Sequence, residues 1–122
     1  MFTRLRAELA GYPNFAHLLS SGEDGRPHAV AVSVVWDGDQ LLLGAGRRSL
    51  ANVAARRLVS VLWGAPSATD YSLIIDGEAA ISGTGEHAQV RVTITRAVLH
   101  RPGAMLTPTA SVCGSDCVPL FG

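Results

Sequence analysis

The chain has no apolar run approaching the ~18 uninterrupted residues that a membrane-crossing helix needs, and its opening, MFTRLRAELAGY, lacks the continuous apolar segment of a secretion signal. Export and membrane insertion are therefore not expected, and the cytoplasm is the expected compartment. Net charge is missing too: ten basic residues balance ten acidic ones within a charged fraction of 16%. Such a chain carries no overall field of the kind that draws nucleic acid or an anionic membrane, so any anion site must be local and the expected partner is a small molecule. Hydrophobic content of 48% separates it from disordered polymers, and 122 residues suffice for one core, so residues 1–122 are expected to form a single domain.

Several common chemical signatures are also absent. Gly44 and Gly46 supply the first two glycines of GxGxxG, but Ser49 stands where the third is needed. There is no P-loop, no GxSxG elbow and no HExxH, so hydrolytic chemistry would have to be assembled from scattered residues. The histidines His17, His28, His87 and His100 are dispersed and form no ligand pattern with Cys113 and Cys117, so no metal site is expected. In a reducing compartment the CxxxC pair is expected as two thiols, while its spacing alone also admits a disulfide or half a metal site.

What is present is mostly β rhythm. TRLRAELAG, within residues 1–11, predicts a short N-terminal helix with Thr3 as cap and Leu5 and Leu9 one turn apart. FAHLLSS and HAVAVSVVW read as strands joined by a turn at Asp24 and Gly25, and Asp37 and Gly38 predict a second turn before QLLLGAG. SLANVAARR reads as a short helix capped by Ser49, with Leu50, Val53 and Ala54 on one face and Arg56 and Arg57 at its negative pole. LVSVLWGA and YSLIIDGEAAIS return to strand, the latter with a kink or turn at Asp76 and Gly77. In VRVTITRAVLH, Val90, Val92 and Ile94 alternate with Arg91, Thr93 and Thr95. Residues 101–122, rich in proline, threonine and serine, read as an irregular C-terminal arm. About six antiparallel strands with short connections predict a mainly β fold, closed or split into a barrel so that sheet edges are removed.

Two local features point to function. Along the strand from His28 to Trp36 one side is bulky, whereas Ala29, Ala31 and Ser33 leave the other flat enough for a planar ligand or another backbone to approach. Immediately after the next strand, GAGRRS brings backbone amides, a hydroxyl and two guanidinium groups together at a helix N-terminus. Unsatisfied amides there attract a phosphate, and Arg47 or Arg48 can add bidentate, charge-assisted bonds. The same residues also suit a plain solvated loop.

The order hairpin, Gly/Arg/Ser turn, short helix and strand in DGRPHAVAVSVVWDGDQLLLGAGRRSLANVAARRLVSVLW, residues 24 to 63, followed by YSLIIDGEAAIS, resembles the pyridoxamine 5'-phosphate oxidase-like split-barrel oxidoreductases that use flavin or deazaflavin. The resemblance implies a split antiparallel β-barrel and an oxidoreductase using FMN, or alternatively F-420, at a homodimer interface. It further implies phosphate binding at Gly46, Arg47, Arg48, Ser49 and Asn52, a ring lying against Ala31, Val32 and Ser33, and a contribution from the second subunit around Trp63 or Tyr71. The cofactor would carry the hydride chemistry, which accords with a chain lacking an evident catalytic triad. Departures are the missing lysine in the turn and helix, and a tail that does not match the elements by which pyridoxamine phosphate oxidases hold their substrate. A noncatalytic module holding flavin, haem or another planar ligand, and a cofactor-free dimer, are the competing expectations.

Overall fold

The computed structural model describes residues 1–102 and 115–122, so the expectation for Cys113 lies outside the described residues. Two helices, α1 (Thr3–Leu9) and α2 (Arg47–Ala55), accompany seven strands: β1 (Phe15–Ser21), β2 (Pro27–Asp37), β3 (Gln40–Gly44), β4 (Leu58–Trp63), β5 (Ser72–Ser82), β6 (Gln89–Pro102) and β7 (Ser115–Phe121). Their order is β3-β2-β1-β4-β5-β6-β7, and a further pairing of β3 with β6 closes the first six into a barrel.

β6 is where the barrel splits. It pairs with β5 along most of its length, while its other edge is shared: residues from Gln89 to Thr93 meet β3, and those from Ala97 to Pro102 meet β7. The alternation read from the sequence drives closure, because Val90, Val92 and Ile94 point inward and are buried beside Leu41, Leu43, Val61 and Ile75. Each buried aliphatic side chain of this kind contributes about 1.5–3 kcal/mol relative to exposure.

The turns at Gly25 and Gly38 form as expected, with φ of 82° and 63° that glycine adopts without steric cost. The kink at Asp76 and Gly77 is a register shift against β6, not a second turn. A Cβ on Gly77 would lie 2.5 Å from both the Thr93 carbonyl oxygen and Val92 Cγ1, so only glycine admits this approach.

Three expectations are corrected. The arm over residues 101–122 is not irregular throughout: Arg101 and Pro102 finish β6, and Ser115–Phe121 is a seventh strand. As an edge strand β7 tolerates Pro119, which has no amide to donate. Thr3 does not cap α1; Phe2 holds that position without a side-chain cap bond and is 5% exposed, so burial of the phenyl ring fixes where the helix begins. Likewise the N-cap of α2 lies three residues earlier than expected, at Gly46, and Ser49 is an interior helical residue only 1% exposed.

Candidate functional site

The β1–β2 hairpin and α2 together shape a cleft of about 800 Å³, lined among others by Arg26, His28, Arg47, Arg48 and Asn52, with the carboxylates Glu23 and Asp24 at its hairpin end. One wall is the β1–β2 hairpin and the other is the first half of α2. Gly46, in extended conformation, turns the chain from β3 directly into the helix, so the two arginines occupy its first two positions. The amides at this end have no partners within the helix and carry partial positive charge. Among the described residues the arginine ion pairs engage Arg6, Arg26, Arg91, Arg96 and Arg101, and none engages Arg47 or Arg48. Two exposed, unneutralised guanidinium groups at the positive pole of a helix raise its energy by a few tenths to about 1 kcal/mol each, and an anion reverses that sign.

Asn52 lies one turn on and is 7% exposed. Its Nδ2 donates to Ser20 Oγ at 3.1 Å, and its Oδ1 accepts from Arg56 Nη2 at 3.5 Å. Arg56 Nε also donates to the Ser21 carbonyl at 2.7 Å. Asn52 and Arg56 thus tie α2 to the end of β1 and fix the cleft's width. Arg56 is the helix's C-cap and Arg57 lies beyond it.

His28 was not singled out by sequence reasoning, yet it faces Ser20 across the β1–β2 ladder and lines the cleft. Its Nδ1 is buried and has no hydrogen-bond partner. A buried unpaired ring nitrogen is costly, and a water or ligand group entering this end of the cleft would offset that cost. Only the cross-strand register brings His28, Ser20 and Asn52 into line, and no local motif could have signalled it.

The remaining expected residues divide. Ala31 and Ser33 stand exposed on the outer face of β2, whereas the side chain of Val32 points into the core at 5% exposure, leaving only its backbone available outside. Ser49 is sealed beneath α2 and does not line the cleft. Trp63 is 2% exposed and its indole donates to the Pro13 carbonyl at 3.0 Å, so it belongs to its own barrel's core and cannot complete a neighbour's site. Tyr71 is engaged within its own chain, donating to Asp116 Oδ2 at 2.7 Å beneath the Arg101 guanidinium. Gly44, not named as a site residue, adjoins Ser33: a Cβ there would stand 2.9 Å from the Ser33 hydroxyl. The absence of bulk at Gly44 extends the flat outer surface from β2 onto β3.

The outer face of β1, β2 and β4 mixes apolar with small polar side chains. Phe15 and Val35 are 58% and 52% exposed, and the ladder sets His17 beside Ala31 and Leu62. No helix among the described residues is long and apolar enough to cross a membrane, and no cluster of His, Cys, Asp and Glu among them could hold a metal ion.

This architecture is that of the pyridoxamine 5'-phosphate oxidase-like split barrels. A Listeria innocua protein named for pyridoxamine 5'-phosphate oxidase superposes with a TM-score of 0.67 at 20% identity, over 79% of this chain and 94% of that one. A Clostridium acetobutylicum protein related to general stress protein 26, of the pyridoxinephosphate oxidase family, gives 0.65 at 14% identity over 82% and 88%. A protein named F420 reductase gives 0.59 at 20% identity over 74% and 93%. No family model matches the sequence, and no curated protein matches it.

Proposed function

We propose that the protein is an oxidoreductase that binds FMN, with F-420 as the alternative cofactor, at a homodimer interface and passes hydride to or from a small substrate. The observation that carries the reading is the pair of arginines at the start of α2, without ion pairs among the described residues, opening onto the cleft between that helix and the β1–β2 hairpin; the small side chains of Ala31 and Ser33 lie further along β2, on the face opposite His28. Arg47, Arg48 and the first α2 amides would hold the phosphate, and Asn52 would keep the helix at the right distance from the hairpin. Ala31, Ser33 and the backbone of Val32 would seat the ring, with Gly44 keeping the adjoining strand low. When bound, a flavin or deazaflavin supplies the hydride chemistry. The chain's own part is to bind, orient and exclude water.

The outer face of β1, β2 and β4 supports the homodimer reading. Exposed Phe15 and Val35, with half-buried Leu62 on the same outer face, are better covered than left in water, and a second copy would also shield the ring. Support for an oxidoreductase comes from structural neighbours named for pyridoxamine 5'-phosphate oxidase and F420 reductase.

Titration with FMN, F-420 and haem side by side, followed by visible absorption and sedimentation, tests the proposal. Saturable FMN or F-420 binding to a dimer, one site per protomer, with the bound cofactor reducible by a nicotinamide or deazaflavin donor, is the expected result. Binding of haem alone, binding without turnover, or indifference to all three overturns it.

A further inference from the structure

A second cavity, of about 310 Å³, opens at the other end of β2, beneath α1. Its wall is apolar and aromatic: Leu9, Tyr12 and Pro13 from α1 and the turn after it, Val35 and Trp36 from β2, and Trp63 from β4. That volume and lining match the lower end of small-molecule pockets, where an apolar body is enclosed and a few polar groups fix its orientation. Most of the wall's polar atoms are already spent. The Tyr12 hydroxyl donates to the Tyr71 carbonyl at 2.7 Å, the Trp63 indole to Pro13, and the Asn14 carbonyl accepts the Val34 amide at 2.8 Å.

The Asn14 side-chain amide is unengaged among the described residues, and the charged exception is Arg6, which is ion-paired with Asp39 on one side only. Its guanidinium lies 4.0 Å from the centroid of the Trp36 ring at the cavity's edge. It donates through Nη2 alone, to the Gly38 carbonyl and to Asp39 Oδ1 at 3.5 Å. Nε and Nη1 have no partner among the described residues. A cation fixed by stacking, with unspent donors beside an aromatic cavity, is matched by a flat apolar body bearing one anionic group.

We infer that the cavity between α1 and the end of β2 binds a small aromatic anion, with the ring at the edge of Trp36 and against Pro13 and Val35, and the anionic group on Arg6. Val35 shares the outer face of β2 with Ala31 and Ser33, so a molecule held here lies next to the surface assigned above to the cofactor ring. The cavity is then the subsite for the substrate, and this last step alone rests on the proposed function.

The test needs no cofactor. The chain has two tryptophans, and both line this cavity, so their emission reports its occupancy. Apoprotein is titrated at neutral pH with 2,4-dinitrophenolate and with neutral 2,4-dinitrotoluene, using free N-acetyltryptophanamide to correct for absorbed light. Expected are saturable quenching at one site per chain and at least fivefold tighter binding of the anion. Arg6→Met should abolish that preference and Arg6→Lys keep part of it, while Ala10→Phe, which narrows the mouth, should weaken both probes at least tenfold. Thermal melting confirms that each variant is folded. Linear, unsaturable quenching, equal affinity for the two probes, or indifference to Ala10→Phe overturns the inference. Quenching by the anion together with failure of FMN and F-420 to bind leaves the cavity assigned and removes only its role as a substrate subsite.

Discussion

The side-chain amide of Asn52 reaches from α2 to the hydroxyl of Ser20 on β1 at 3.1 Å, with both residues buried. This contact holds the arginine-bearing end of the helix over the β1–β2 hairpin. Replacing Asn52 by alanine leaves Ser20 without that donor and frees Arg56 from one of its two acceptors. The expected loss is about 1–3 kcal/mol of stability, read by urea denaturation, together with weaker FMN binding. A variant as stable as the parent contradicts the role given to this contact.

Arg47 and Arg48 changed together to alanine should weaken FMN far more than riboflavin, because the two ligands differ in the phosphate. Each lost charge-assisted bond is worth roughly 1.5–3 kcal/mol. Less than a tenfold combined effect on FMN, or an equal effect on riboflavin, counts against the phosphate site. Surface electrostatics also predicts that FMN affinity falls with added salt in the parent and much less in the double variant.

Gly77 and Gly64 make a matched pair for the barrel itself. Nothing lies within 4 Å of a Cβ placed on Gly64, whereas one on Gly77 meets Thr93 and Val92 at 2.5 Å. Gly77→Ala should cost about 1–3 kcal/mol or more, since backbone cannot yield as a flexible side chain does. Gly64→Ala should stay within about 0.5 kcal/mol. Parallel denaturation curves decide, and equal midpoints would remove the steric reason for the bulge.

Asp116 joins β7 to the rest of the molecule. It accepts from Tyr71 at 2.7 Å and from two nitrogens of Arg101 at 3.0 and 2.9 Å. The Tyr71 hydrogen bond first, and Arg101 after it, hold the carboxyl below its ordinary pKa, while the same hydrogen bond raises Tyr71. A depressed carboxyl stabilises the fold above its unfolded pKa and loses that contribution as pH falls through the folded value. A raised tyrosine stabilises below its unfolded pKa and loses its contribution as pH climbs through the folded one. Melting temperature should therefore decline at both extremes, and Asp116→Asn should flatten the acid limb. Parent and variant melting in parallel across the carboxylate range would refute this.

Much of the barrel was legible because its signals are local. Asp24 and Gly25, and Asp37 and Gly38, announce turns through their own backbone preferences, and Val90, Val92 and Ile94 announce a buried face through a period of two. Long-range pairing was not legible. The strand at Ser115–Phe121 exists because β6 offers it an edge, and the proline- and serine-rich tail conceals it. Ser49 looked like a cap because hydroxyls usually serve there, but Gly46 already turns the chain, and the serine is drawn inside. Of the candidate site, the paired arginines and the small face of β2 stand out in the sequence itself, whereas Asn52 entered only through the family resemblance. The orphaned nitrogen of His28 could not be read, because its isolation depends on what β1 and α2 place around it.

Phe2 packs edge-on against Phe121 with ring centroids 4.7 Å apart, and Arg4 reaches the Pro119 carbonyl at 3.5 Å. The helix that roofs the aromatic cavity is therefore fastened in part by β7, the strand that pairs only with the outer edge of β6. The six-stranded ring is closed by the β3–β6 pairing without either of these elements, so loosening the contact between α1 and β7 would open the chamber's ceiling and leave the barrel wall intact.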